Sequence, residues 1–212
     1  FEEAHHLKEA GLFFKGLIDG KIGLPIIITG SSSYHLQSKT RESLAGRATR
    51  YYLYPFSFEE LAMPFNVPSP LTWQENANEI IEKQTIYGGY PSTWLADKKE
   101  DELYQLTEAI VIRDASDFFK IKHLSSFRQL LKLISWQIGN LVNYSEWSSI
   151  AGIDNNTTKH YIDILEETGI IKTIYPFVGG KRAEITSSPN IYFIDLGIRN
   201  AFSNQFMRLD DR

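Results

Sequence analysis

A chain of 212 residues, 42% of them hydrophobic, can bury one sizeable core or two smaller ones. Its formal charge of −4 gives no general attraction to nucleic acid or to an acidic membrane surface, and neither half of the chain is basic. The absence of cysteine excludes disulfides, thiolate zinc sites and cysteine nucleophiles. It fits a reducing, cytoplasmic setting, and no apolar run reaches membrane-spanning length.

Phe1 to His6 leads into a helical pattern with Leu7, Ala10, Phe14, Leu17 and Ile18 on one face, ended at Gly20. An unbroken apolar run follows and reads as a strand over 25–29 buried on both faces, as in a parallel sheet covered by helices. Its carboxyl end turns into Thr29-Gly30-Ser31-Ser32-Ser33. Ligands of open α/β sheets bind at that end of the strands, and hydroxyls there suit a phosphate. The same residues also suit a plain turn. Beyond Glu42-Ser43-Leu44-Ala45-Gly46-Arg47, a strand of aromatic character is expected at Tyr51-Tyr52-Leu53-Tyr54, stopped by Pro55. Ser57 and Glu60 form a capping box. Pro64, Pro68 and Pro70 then mark a linker, and a first domain boundary is placed after residue 62.

From 72 onward the pattern is helical. Thr72 and Glu75 form a second capping box, with Trp73, Ala77, Ile80 and Ile81 at helical spacing. Tyr87-Gly88-Gly89-Tyr90-Pro91 breaks that helix, and Pro91 can begin the next. Leu103, Leu106 and Ile110 mark a further helix, and Phe127, Leu130, Leu131, Ile134 and Ile138 another. Asn143 with Glu146, and then Asn155 or Asn156, can cap two more, ended by Gly152 and Gly169. Two strands follow, from Ile170 to Phe177 and from Ile191 to Ile194, with Gly179-Gly180-Lys181-Arg182 as the turn. Three helices and a hairpin in this order describe a winged helix. The expected organisation is a first domain over 1–62, a helical lid or linker over 63–124, a winged helix over 125–197, and the start of a further region over 198–212.

Three stretches then point one way: the opening Phe-Glu-Glu-Ala-His-His with its helix and strand; Ser43-Leu44-Ala45-Gly46-Arg47 leading to Phe56-Ser57-Phe58-Glu59-Glu60; and Tyr87-Gly88-Gly89-Tyr90-Pro91 followed by Gly139-Asn140-Leu141-Val142-Asn143-Tyr144. Together they resemble the prokaryotic AAA+-type P-loop ATPases that carry an appended winged helix and a nuclease-like carboxyl-terminal domain of unknown function. The resemblance implies an α/β fold, with residues 1–62 as the carboxyl-terminal half of a P-loop core built on a parallel sheet. It implies ATP and Mg²⁺ as ligands of the full-length protein, and a Walker B strand ending at Glu2 and Glu3. Glu2 would hold the Mg²⁺ shell indirectly and Glu3 would polarise the attacking water; Glu2 stands where the family has Asp. Two glutamates before a helix also simply complement its N-terminus. Thr29 or Ser31 matches the position that senses the γ-phosphate. Arg47 matches an arginine finger reaching the nucleotide of a neighbouring subunit in a homo-oligomer, and equally reads as an exposed arginine ending a short helix.

No G-x-x-x-x-G-K-[ST] occurs. In the family that loop lies upstream of the Walker B strand, so the chain is expected to be a fragment, inactive alone and unable to bind ATP tightly. The alternative is a winged-helix module that binds DNA or protein without ATPase activity. Asn156 and Lys159 on the third helix and Lys181 and Arg182 on the wing are its nucleic-acid candidates. Against them stand Asp154, Asp163, Glu166, Glu167 and Glu184, so inter-domain packing is the better reading. Hydrolase motifs fail: Tyr34 replaces the closing glycine of G-x-S-x-G, and His5 and His6 lack H-E-x-x-H spacing.

Overall fold

The computed structural model describes residues 1, 2, 4, 7–30, 44–63, 70–109, 121–177 and 187–207. The chain divides into two compact units, Phe1–Leu53 and Tyr54–Arg212. It is mostly helical, with one small two-stranded antiparallel sheet among the described residues.

The first unit is organised around α1, Ala10–Asp19. Ala10 and Phe14 are fully buried with Ala4 and Leu44, while Leu17 and Ile18 pack at the edge of this small core. Phe1 meets Phe14 edge-on at 5.0 Å between ring centroids. The expected face is correct except for Leu7, which is exposed. The apolar run at 24–29 departs from expectation. Ile26 and Ile28 pack on the α1 core, but Leu24 and Ile27 are 72% and 75% exposed. The run alternates because, among the described residues, this unit supplies a helix to one face only, and an unbroken apolar string conceals that difference. Its backbone takes a parallel neighbour: Phe1 donates to Ile27 O at 2.9 Å, and Thr29 N–H donates to Phe1 O at 2.9 Å. Ala4 N–H adds a bond to Thr29 O at 3.0 Å. The aromatic stretch 51–54 forms no strand among the described residues, and Tyr51 and Leu53 lie open.

The second unit starts where the chain is first gripped, at Tyr54, ahead of the proline-rich stretch where the sequence suggests a boundary. Helix α2, Phe58–Ala62, carries the expected capping box: Glu60 N–H donates to Ser57 Oγ and Ser57 N–H to Glu60 Oε2. It packs on α3, Pro70–Tyr87, which begins two residues before the expected cap. Pro70 is preorganised for a first turn, so Thr72 falls inside the helix. Ala77 and Ile80 are buried, whereas Trp73 and Ile81 are exposed. Gly88, at φ +74°, ends the helix, and Pro91 opens α4, Pro91–Leu95. Lys99, at the start of α5 (Lys99–Thr107), donates to the carbonyls of Thr93, Trp94 and Ala96 and so closes the carboxyl end of α4.

The main core lies among α6, Leu124–Trp136; α7, Tyr144–Ala151; α8, Asn155–Glu167; and the hairpin of β1, Ile171–Ile174, with β2, Asn190–Phe193. Phe127, Leu130, Leu131 and Ile134 of α6 meet Trp147, Tyr161, Ile164 and Leu165. Asn143 caps α7, and Gly152 in the left-handed region ends it. The cap of α8 is Asp154, one residue before the expected asparagines, accepting from Asn156 and Thr157 N–H at 2.9 and 3.0 Å. The strands pair Ile171 with Phe193 and Ile174 with Asn190, and Leu141 bridges to Asn190 from the other side. On the outer side of β1, the Glu166 carboxylate accepts from the Thr173 amide and hydroxyl and pairs with Lys172. The expected turn at 179–182 lies outside the described residues.

One helix has no counterpart in the sequence reading. Helix α9, Leu196–Ser203, buries Ile198, Arg199, Asn200 and Ala201 against α3, α5, α6 and β2. Residues 198–203 thus belong to the core of this unit, with Ile198 and Ala201 joining the same cluster as α6.

Candidate functional site

In the first unit, Phe1 is bracketed by the backbone of Ile27 and Thr29, so Glu2 follows on a strand-like segment directly beside Thr29. Both segments run in the same direction and end on the same side. The Glu2 and Thr29 residues are exposed. Glu3 and Ser31 lie outside the described residues. Arg47 ends a tight turn from Leu44, with its amide donating to Leu44 O at 3.0 Å and Gly46 at φ +71°. Its Nε stands 3.5 Å from Asp19 Oδ1, with both side chains about half exposed. Glu2 and Thr29 are therefore adjacent, while Arg47 is held at the end of α1.

Of the nucleic-acid candidates, Asn156 and Lys159 are exposed on α8. The Asn156 backbone N–H donates to the Asp154 cap, and Lys159 Nζ lies 5.3 Å from the centre of the Tyr144 ring. Lys181 and Arg182 lie outside the described residues. Exposed Asp163 shares the Lys159 face and holds its proton more readily than usual, since partial burial outweighs attraction to His160.

The second unit contains a cleft of about 510 Å³ that the sequence reading did not anticipate. Tyr54, Pro55, Phe56 and Phe58 line one wall; Ile81, Gln84, Thr85, Gly88 and Gly89 another; Ile194, Asp195 and Leu196 the third. Its frame is a chain of buried hydrogen bonds. Gly89 N–H donates to Asp195 Oδ2 at 2.7 Å, and Asp195 Oδ1 caps α9 by accepting from Ile198 N–H at 3.0 Å. Gly89 O accepts from Phe56 N–H at 2.7 Å, and Gln84 Nε2 donates to Phe56 O at 2.8 Å. Asn200 Nδ2 reaches the carbonyls of Thr85 and Ile86, two of the free acceptors at the end of α3. Glycine is required throughout: a Cβ on Gly88 would stand 2.1 Å from Asp195 Oδ1, and one on Gly197 would stand 2.2 Å from Tyr87 O.

Burial raises the Asp195 carboxyl above its ordinary range, against the pull of backbone donors at Gly89, Ile198 and Gly197. Burial and the Asp195 charge together push the Tyr90 phenol up to about 12. Burial likewise lowers the Lys99 ammonium. Asp195, the N-cap of α9, has no place in the sequence reading, and Tyr87-Gly88-Gly89 is read there only as a helix break. Nothing in the sequence marks their contact.

Among the described residues no three histidines, aspartates or glutamates gather into a metal site. No described helix is long and apolar enough to cross a membrane.

Comparison with known proteins gives two matches along the chain: residues 1–62 match an AAA domain, and residues 78–208 match a domain of unknown function, DUF8612. The chain is 26% identical over 181 residues to an uncharacterised protein of Haemophilus influenzae, covering 82% of this chain and 44% of that protein. An uncharacterised protein of Methanocaldococcus jannaschii is 26% identical over 227 residues, with 94% and 47% covered. One of Mycobacterium tuberculosis is 22% identical over 216 residues, with 100% and 44% covered. The chain thus spans a little under half the length of these relatives. No solved structure matches it. The AAA match supports an AAA-type P-loop character for the amino-terminal residues, and because the matched stretch 78–208 takes in more than half of its length, the chain belongs to the DUF8612 family.

Proposed function

We propose that this chain is part of an AAA-type ATPase: the segment that carries the water-polarising and phosphate-sensing side chains, followed by a helical unit. The observation that supports it best is the parallel pairing of Phe1 with Ile27 and Thr29. Such pairing sets a carboxylate-bearing segment and a hydroxyl-bearing one side by side at their carboxyl ends, where α/β sheets receive ligands. Ile27 and Thr29 direct their backbone groups to Phe1, so those of Ile26 and Ile28 face the opposite edge.

In this reading ATP and Mg²⁺ are bound by the longer protein, and the metal supplies charge neutralisation at the phosphates. A single exposed carboxylate at Glu2 fits contact with the metal through water. Glu3 takes the proton side of water attack, Thr29 or Ser31 hydrogen-bonds the terminal phosphate, and Arg47 leaves Asp19 to serve a neighbouring subunit's nucleotide. The test is turnover by the longer protein. Glu3→Gln should lower it by about 100-fold or more while ATP still binds, and this chain alone should not bind ATP tightly. Unchanged turnover in Glu3→Gln would refute the assignment.

A second proposal concerns residues 125–197. The order α6, α7, α8, β1, β2, with Leu141 making a single bridge to β2, supports a winged helix. We read it as a protein-contact module, preceded by a helical lid over 63–124 and followed in the longer protein by a nuclease-like domain. Asp163 on the exposed face of α8 opposes a phosphate backbone, and Lys159 already lies over Tyr144. Salt-dependent duplex binding that weakens with Lys181→Ala and Arg182→Ala would instead establish a DNA role.

A further inference from the structure

We infer that the cleft beside Asp195 binds an organic cation, an ammonium or guanidinium borne on an apolar body, with the Asp195 carboxylate as its counter-ion. Every residue involved belongs to the second unit, so the inference does not depend on nucleotide binding. At about 510 Å³ the cleft has the size of small-molecule sites, and it shares their make-up of mostly apolar walls with few polar groups. Tyr54, Phe56 and Phe58 supply its aromatic part, and Ile81, Ile194 and Leu196 its aliphatic part.

The polar groups decide the charge of the occupant. Donors of the lining are spent on the protein's own acceptors: Gln84 Nε2 on Phe56 O, the Thr85 hydroxyl on Ile81 O, Gly88 N–H on Gln84 O and Gly89 N–H on Asp195 Oδ2. Acceptor capacity is left over, because three backbone N–H groups attend the Asp195 carboxylate and its two oxygens can accept about four bonds. Asp195 is only 6% exposed, yet among the described residues no lysine, arginine or histidine forms an ion pair with it, and none lines the cleft. Its backbone donors offset the cost of burial only in part, since burial still raises the carboxyl above its ordinary range. A buried carboxylate without a counter-ion is costly, and a cation entering the cleft relieves that cost. An anion would be repelled, and a neutral apolar molecule would leave the charge unmatched. Aromatic rings in the lining favour a cation as well. The fold also keeps its own side chains off the carboxylate at Gly88, where a Cβ would stand 2.1 Å from Oδ1.

The test titrates the full chain with phenethylammonium, with its uncharged counterpart phenethyl alcohol, and with a capped phenylalanyl-arginine dipeptide, following backbone amide NMR signals. Saturable shifts should centre on Gln84, Gly89 and Leu196. The ammonium should bind at least about tenfold more tightly than the alcohol, and Asp195→Asn should reduce that preference to below about twofold. Because Asp195 also caps α9, a second variant leaves the cap intact. Ile81→Lys, at a half-exposed position of the lining, supplies a cation within the chain and should likewise remove the preference, whereas Ile81→Gln should retain it. Binding of the dipeptide as well as the amine supports the inference with a polypeptide side chain as the source of the cation; binding of the amine alone supports it with a free small amine as the source. Equal binding of ammonium and alcohol overturns it, as does the absence of saturable shifts with either cation. An unchanged preference in folded Asp195→Asn or in Ile81→Lys overturns it too.

Discussion

Gly197 lies so close to Tyr87 that a Cβ on the glycine would stand 2.2 Å from the tyrosine carbonyl oxygen. Two helices distant in sequence, α3 and α9, therefore meet backbone to backbone. Gly197→Ala should destabilise the helical unit by about 1–3 kcal/mol, since the obstructing atoms are main chain and cannot rotate away. Urea unfolding followed by Trp147 fluorescence measures it.

Gly16 offers the opposite case. It lies inside α1, and nothing comes within 4 Å of a Cβ built there. Gly16→Ala should stabilise the first unit by about 0.5–1 kcal/mol, because alanine loses less backbone freedom on forming a helix. The helical signal at 222 nm should then survive to a higher temperature.

Tyr90 makes the second unit sensitive to alkali. Its phenol, ordinarily at 10.0, is raised to about 12 in the fold, so between those values the unfolded chain has released a proton that the folded chain still holds. Stability must therefore fall as pH rises through that window, by about 2 kcal/mol at its upper end. Tyr90→Phe should remove this part of the slope, read as the difference between wild-type and variant unfolding curves from pH 9 to 12.

Asp154 acts in the other direction. Hydrogen bonds from the Thr157 hydroxyl and amide hold its carboxyl below the ordinary range. Its stabilising effect is present above the unfolded value near 3.8 and disappears as pH falls through the folded one. Asp154→Ala should lower Tm at neutral pH, and the gap to wild type should close on acidification. A constant gap would show that the cap acts through packing instead.

Arg47 separates a structural role from a chemical one. Its pair with Asp19 is half exposed, so Arg47→Ala should change the stability of this chain by less than about 0.5 kcal/mol. In the longer protein, turnover should fall sharply while nucleotide affinity holds. The assignment in trans predicts rescue when the variant is mixed with a subunit that lacks turnover for another reason, such as Glu3→Gln.

Much of the second unit was readable because its signals are local. The Ser57–Glu60 box, the Asn143 cap, the glycines at 152 and 169, and the buried stripe of α6 each depend on residues a few positions apart. The amino-terminal motifs were readable by resemblance, and the AAA match to residues 1–62 agrees with them at the level of fold type. The burial of the 24–29 run was misread because apolar character does not report how many faces find a partner. Helix α9 was missed because its apolar side is short, Ile198, Ala201 and Phe202, while Arg199 and Asn200 are buried polar residues that look like surface. Their burial makes sense only beside Ser135 O and the end of α3, which they satisfy. The Gly88-Gly89 pair likewise reads as a helix stop, and its second duty, toward Asp195 and Phe56, is a property of three distant segments.

The Glu166 carboxylate over β1 has one more effect. A two-stranded hairpin ordinarily leaves an outer row of amides on which a stray strand from another molecule can grow. Here the Thr173 amide already has its acceptor, and the acceptor carries a negative charge beside Lys172. An incoming strand would have to displace a charged, tethered group before making its first bond. The two-stranded sheet thus comes with its own guard against misassembly.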